Sequence, residues 1–468
     1  MLLHIVVMLI YFVVMMAVGI MAMSKTRTVE DLYIGGRRIG GTVTALSFFT
    51  TYFSSVIFIG ATALGWKYGL PILWKDVFVV LIGTFAAFAV LGPRLMLLSK
   101  KLSFMSVTEF IEKRYRSRLA GLMASIAMLV GLFVYAVSIV IGMARAAEVV
   151  MRVDYIYALA VTTIITVVYT VCGGYLGQVW TQAIQAVFML IMAVALCIVS
   201  LSAAGGLSSL ASSLRSIEPS LAGWPYRDCA PLFLFYISLG FLGWGNPALV
   251  MRFISIRDRV SLRSATVIAT ITTAILTLSL NIASAASRVV IGDVVKPDYA
   301  FTHLVQKLLP QGFDALFLVA VLSASMSTLA AILGTVTRLL REIVRVGLSA
   351  KSEFIFYRVA TVATAVVCVA AALNPPPMLV VLFGVTTAIL SGVLIGPLIY
   401  GLFCQRITTP SIVVAMVLSF VAAIAVSAYG GFSFPWTYYA FAPTITLSLA
   451  VPPMISLSTK TTTGRVHR

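Results

Sequence analysis

A chain of 468 residues, of which 61% are hydrophobic and only 10% charged, has too little polar surface to cover a soluble globule of that size. Its mean hydropathy of +1.06 marks the bilayer as its solvent. The net charge of +18 raises the question of a nucleic-acid partner, which the placement of the basic residues answers.

Apolar runs of about 20 residues, the length that crosses hydrocarbon as a helix, recur from end to end. Thirteen spans are predicted: 3–23, 42–65, 76–98, 119–147, 154–173, 179–203, 231–251, 264–287, 313–336, 354–373, 378–402, 411–429 and 436–457. The first run has no Lys or Arg ahead of it and is followed by Lys25, Arg27, Arg37 and Arg38. That is the reverse of a secretory signal's charge order, so a retained helix with its N-terminus outside is expected. An odd count then places the C-terminus in the cytoplasm, in a multi-pass protein of the plasma membrane. The basic residues fall in alternate loops. One holds Arg94, Lys100, Lys101, Lys113, Arg114, Arg116 and Arg118, another Arg252, Arg257, Arg259 and Arg263, and a third Arg338, Arg341, Arg345 and Lys351; Lys460, Arg465 and Arg468 close the tail. All share the side of Lys25, whereas the opposite 374–377 turn, Asn374 and three prolines, carries no charge. Alternation is the signature of membrane topology and not of a nucleic-acid surface.

Three histidines (His4, His303, His467) and the absence of HExxH or CxxC spacing give no metal-hydrolysis motif. Asp76, Glu148, Asp154 and Asp314 fall at span ends and the other carboxylates in loops, so neither an embedded enzyme nor an intramembrane proton relay is expected. Cys172, Cys197, Cys229, Cys368 and Cys404 show no paired spacing and read as small packing residues.

Two spans break helical rules in a matching way. In the second, Thr50, Thr51, Tyr52, Phe53, Ser54 and Ser55 form a hydroxyl-rich patch followed by Gly60 and Gly65; in the seventh stand Gly240, Gly243, Gly245, Asn246 and Pro247. Unwound backbone at membrane depth is tolerated where its freed polar groups line a site. The two spans are five helices apart, and an odd number inverts the second set, as a repeat with paired discontinuous helices requires.

Several segments together resemble the sodium:solute symporter family. They are Asp31 to Arg38 (DLYIGGRR) with Ala45, Leu46 and Ser47; Val107 to Arg118 (VTEFIEKRYRSR); and Tyr169 to Gln185 (YTVCGGYLGQVWTQAIQ). Gly245, Asn246, Pro247, Arg252 and Phe253 follow, then Pro297, Asp298, Ala300, Leu308, Leu309 and Pro310 leading to Ser325, Met326, Ser327 and Thr328. The resemblance implies an all-α, leucine-transporter-type fold of two inverted five-helix repeats, 42–203 and 231–402. Segment 1–41 would hold an extra helix and first loop, 204–230 an extracellular loop, and 403–468 two further helices and a tail. It implies a sodium ion held by the carbonyls of Thr50, Phe53 and Ala324 and the hydroxyls of Ser327 and Thr328. A small organic solute is expected against Thr51, Tyr52, Ser54, Ser55, Trp244 and Asn246, with Tyr135 and Ser138 facing them.

Three positions depart from the family's pattern. Gln182 stands where the family usually has an acid on the ion's cytoplasmic path, Tyr52 where proline carriers have Asp, and Asn246 where Gln is usual. Arg145 and Glu148 also resemble a family signature, and their (i, i+3) spacing suits a pair anchoring a helix end. Helix N-termini at the two breaks favour a carboxylate or amino acid. A sugar, urea or nucleobase, proton coupling, or a non-transporting sensor on the same fold are the alternatives. The expected working unit is a monomer in the lipid bilayer with sodium as its ion.

Overall fold

The computed structural model describes residues 2–54, 56, 58, 62–223, 229–293, 299–310, 312–345, 347–375, 379–404 and 406–458. Ser55, Gly60, Trp224, Pro297, Asp298, Lys460, Arg465, His467 and Arg468 lie outside them. Among the described residues the chain is helical, and the lone bridge between extended segments is Ile39 to Ile256. There Ile39 donates to the Ser255 carbonyl at 3.3 Å and accepts from the Arg257 N–H at 3.0 Å. This bridge ties the approach to the first broken span to the exit of the second.

Ten helices are individually long and apolar enough to cross a membrane, and an eleventh is gained if the bent pair around Asn246 is taken as one span. The expected count of thirteen is not confirmed by this measure, for two physical reasons. The fifth and sixth predicted spans form one run, Tyr155–Ala203, in which two helices meet at a non-helical Gly174 (φ 56°, ψ −155°). Only glycine takes that backbone without strain. The second predicted span is interrupted: its helix Gly41–Tyr52 ends at Phe53, and a separate helix runs Thr62–Tyr68. Most of the other helices outrun the predicted spans, as in Arg259–Ile291 and Asp314–Val344, because a helix continues past the hydrocarbon where charge ends the apolar pattern. Short helices Val29–Ile34, Val107–Tyr115, Leu207–Ile217 and Ala300–Leu308 occupy segments read as loops.

Burial sorts the helices into layers. In Leu2–Met23, Met8, Tyr11 and Met15 face inward while Leu9, Ile10 and Val13 are exposed, the pattern of a helix with one face to lipid. Asp314–Val344 is buried on all sides from Ala315 to Leu333 apart from Leu316, so it is the axial helix of the bundle. The third predicted span, 76–98, lies within the helical run Leu70–Lys101, which is wound as a π-helix from Phe78 to Leu91. Its flank is pressed against the second broken helix: a Cβ on Gly243 would overlap the Gly83 carbonyl, and one on Gly83 would overlap the Tyr52 hydroxyl. Wide π turns leave carbonyls without their usual α partner, and that of Ile82 accepts the Trp244 indole N–H at 2.8 Å.

Candidate functional site

Both breaks have local chemical causes. Phe53 leaves the helix with an extended backbone (φ −104°, ψ 105°) at the end of a hydroxyl-rich turn. At the second break Asn246 (φ −72°, ψ 113°) caps the next helix, its Oδ1 accepting the Ala248 N–H at 3.0 Å. Pro247 takes the first helical position, where its missing N–H costs nothing. The two helices meet there at a bend of 40°.

The axial helix Asp314–Val344 turns two consecutive hydroxyls to the end of the Gly41–Tyr52 helix. Ser327 Oγ lies 3.0 Å from the Thr50 carbonyl and 2.9 Å from that of Ala324. Thr328 Oγ1 lies 2.9 Å from the Ala324 carbonyl, 3.2 Å from that of Thr50 and 3.3 Å from that of Thr51. Each hydroxyl has one proton to give and two or three carbonyls to receive it. The cluster is therefore over-supplied with oxygen lone pairs, in residues that are fully buried. Such a set suits a small monovalent cation: the donors are hard oxygens, and none carries a charge. Four of the five sequence-predicted ion ligands meet here. Phe53, also buried, stands beyond them on the unwound segment, and no described hydrogen bond joins its carbonyl to the other four.

The predicted solute residues divide into two groups. Tyr52 donates its hydroxyl to the Leu239 carbonyl and so ties the first break to the second broken helix. Tyr135 donates to Ser54 Oγ at 3.3 Å and stacks obliquely on Phe383 at 5.3 Å, while Ser138 turns its hydroxyl back to the Tyr135 carbonyl at 2.7 Å. Trp244 spends its N–H on Ile82, which leaves only its ring faces for a guest. Thr51 faces elsewhere: its hydroxyl accepts from Gln182 Nε2 at 3.2 Å and from Arg252 Nη2 at 3.1 Å. Gln182 in turn donates to the Ser327 carbonyl at 2.7 Å and accepts from Arg252 Nη2 at 2.9 Å. The predicted ion-path residue thus touches the backbone of the cation cluster.

Two residues were missed by sequence reasoning. Arg252, counted there as a loop cation, is 1% exposed and reaches into the interior. Ser391 belongs to a π-wound segment, Ala388–Val393, against which Gly245 packs so closely that a Cβ would overlap the Leu390 carbonyl. Both Ser391 Oγ and Asn246 Nδ2 are buried without a hydrogen-bond partner. The signal was present in the hydroxyl-bearing run Thr386, Thr387 and Ser391, with Gly392, in an otherwise apolar span. Glu148 accepts from Tyr299 at 3.4 Å. Cys172, Cys197, Cys368 and Cys404 are free thiols.

Comparison with known proteins adds to this geometry. The sequence pattern of the sodium:solute symporter family matches residues 32–419. The chain is 30% identical over 424 residues to a sodium/pantothenate symporter of Escherichia coli, covering 87% of each chain. It is 26% identical over 466 residues to an osmoregulated proline transporter of Bacillus subtilis, covering 96% of this chain and 94% of that one. A Na+-coupled sialic acid symporter, solved in a substrate-bound outward-open state, superposes with a TM-score of 0.85 at 18% identity, covering 98% of both chains. The nucleobase-cation-symport-1 transporter Mhp1 superposes with a TM-score of 0.56 at 17% identity, covering 91% of this chain and 94% of that one. The shared fold is the leucine-transporter type.

Proposed function

The chain belongs to the sodium:solute symporter family, and we propose from its site that it carries a small organic carboxylate together with sodium held by Thr50, Phe53, Ala324, Ser327 and Thr328. It is a multi-pass membrane transporter, a sodium-coupled symporter of a small solute and not an enzyme. The observation that carries the ion assignment is the convergence of Ser327 and Thr328 on the Thr50 carbonyl, with the Ala324 carbonyl behind them. In an uninterrupted helix the Thr50 carbonyl would be taken by an N–H four residues on. The break frees it.

Three observations support a carboxylate. The helix Pro247–Ser255 begins at the break, so the positive end of its dipole lies there. Asn246 Nδ2 is a buried donor without a partner, and Ser391 Oγ a buried hydroxyl in the same condition. Pantothenate and proline, named for two relatives, each carry a carboxylate. Tyr52, Ser54 and Tyr135 would bound the rest of the solute, and the hydroxyl contact of Tyr52 with Leu239 would report closure around it. Repeats 42–203 and 231–402 would move against each other about this site within a single chain, with the N-terminus outside and the C-terminus in the cytoplasm.

Uptake of radiolabelled pantothenate, proline and galactose into proteoliposomes, driven by an inward sodium or potassium gradient, tests the reading. Sodium-driven accumulation of a carboxylate is expected. Accumulation of the sugar alone, or equal uptake under potassium, would overturn it.

A further inference from the structure

Three basic residues are buried in the described interior: Lys75, Arg252 and Arg338. Lys75 has Asp76 at 3.8 Å, and Arg338 has both Glu109 and Glu342. Arg252 forms no ion pair among the described residues. Its Nη2 donates to two neutral oxygens, Thr51 Oγ1 at 3.1 Å and Gln182 Oε1 at 2.9 Å, and its Cζ lies 5.1 Å from the centre of the Tyr175 ring. Its Nε has no partner. A guanidinium stays charged at any pH a protein meets, and burying that charge without a counter-charge is costly. Gln182 matches a glutamate in shape without supplying the charge.

Beside Arg252 lies a cavity of about 20 Å³, enough for a single atom-sized guest. Arg252, Arg338, Tyr175, Gln178, Thr335 and Tyr357 are among its polar lining residues, and no Asp or Glu lines it. Arg338 is already matched by its two glutamates. Tyr357 accepts from Gln178 Nε2 at 3.2 Å and finds no acceptor for its own proton among the described residues. A buried cation without a counter-charge and a phenol with an unused O–H thus line one small acid-free space.

We propose that Arg252 anchors a monatomic anion, a halide, in this cavity between Tyr175, Gln178 and Tyr357. The anion supplies the counter-charge that Gln182 lacks. It lies beside the sodium cluster and apart from it, because Gln182 and Thr51 stand between Arg252 and Ser327. The proposal goes beyond the solute reading and does not rest on it.

Thermal unfolding of the purified full-length protein tests it, at fixed sodium and ionic strength, in sodium chloride, sodium acetate or sodium gluconate. A saturable rise in the unfolding midpoint over gluconate is expected in chloride and not in acetate. Acetate is too large for this space, so a rise in acetate equal to or above that in chloride would overturn the proposal. Arg252→Gln is expected to abolish the rise. Gln182→Glu keeps the arginine and places a carboxylate on Nη2, so it serves where Arg252→Gln does not fold. It is expected to be insensitive to the anion and at least as stable in gluconate as the unaltered protein. No anion dependence in the unaltered protein, or the same dependence in either variant, would overturn the proposal. Because the readout is stability at constant sodium, failure of sodium-driven uptake would leave it untouched.

Discussion

Removing the hydroxyl of Ser327 or Thr328 tests the ion site at the level of single oxygens. Ser327→Ala and Thr328→Val each delete one oxygen while nearly keeping the side chain's bulk. Each hydroxyl is hydrogen-bonded, Ser327 to carbonyls at 2.9 and 3.0 Å and Thr328 to its nearest at 2.9 Å. Such a bond contributes about 1 kcal/mol net. To serve as ligands both must turn their lone pairs to the ion and surrender that bond. A contact between a hydroxyl and a full charge is worth about 1.5–3 kcal/mol. The difference, about 0.5–2 kcal/mol per hydroxyl, corresponds to a rise of roughly 2- to 30-fold in the sodium concentration for half-maximal uptake. The two effects are not expected to add, since the hydroxyls share the Thr50 and Ala324 carbonyls. Thr328→Ser retains the oxygen and should stay near the unaltered value. The assay is solute uptake into proteoliposomes across a sodium titration, normalised to protein in the vesicles. Unchanged sodium dependence in the double variant would refute the assignment.

Further outcomes follow from other contacts. Tyr52→Phe removes the hydroxyl bond to Leu239, worth about 1 kcal/mol, and should move the half-saturating solute concentration by about fivefold with sodium dependence unchanged; a shift in sodium dependence alone would contradict it. Gly243→Ala puts a Cβ onto the Gly83 carbonyl, which being backbone cannot give way, so folded protein should be lost in fluorescence-detected size-exclusion chromatography. Gly40→Ala, with φ −73° and open space around its Cβ, should be tolerated in the same assay. Arg338→Ala leaves Glu109 and Glu342 in a largely buried site without their shared cation, at a cost of about 3–5 kcal/mol; the loss should appear in the unfolding midpoint and be partly relieved by Glu342→Gln.

What was legible in the sequence was what local chemistry decides. Pro247 and Gly245 announce a break because a missing N–H and a missing side chain act on their own helix. Ser327 and Thr328 stand out as adjacent hydroxyls in an apolar run, and motif resemblance paired them with Thr50. The rest depends on neighbours remote in sequence. The run Phe78–Leu91 reads as an ordinary apolar span, and its π winding accompanies the Trp244 bond and the approach of Gly243. Arg252 looked like a loop cation because charge ends an apolar pattern, although it is Thr51, Gln182 and Tyr175 that receive it inside. Thr51 was expected with Tyr52 against the solute; neighbours on a helix point about 100° apart, and the Thr51 hydroxyl meets Gln182, a contact no local pattern announces. The predicted spans 154–173 and 179–203 meet at Gly174, where a single positive φ joins two helices without the loop the sequence suggested.

A cation cluster built from carbonyls and hydroxyls alone has an electrical consequence. Uncharged oxygens lend sodium no compensating negative charge, so in the proposed site the ion brings its full unit charge into the membrane field. Moving one elementary charge through the whole field is worth about 2.3 kcal/mol per 100 mV. An interior-negative voltage therefore pulls on the sodium-loaded carrier. A monovalent carboxylate travelling with a single sodium would cancel that pull, and uptake would then follow the sodium concentration ratio alone. A zwitterion would leave it in place. Current recorded across a membrane containing this protein thus counts sodium ions against the charge of the solute.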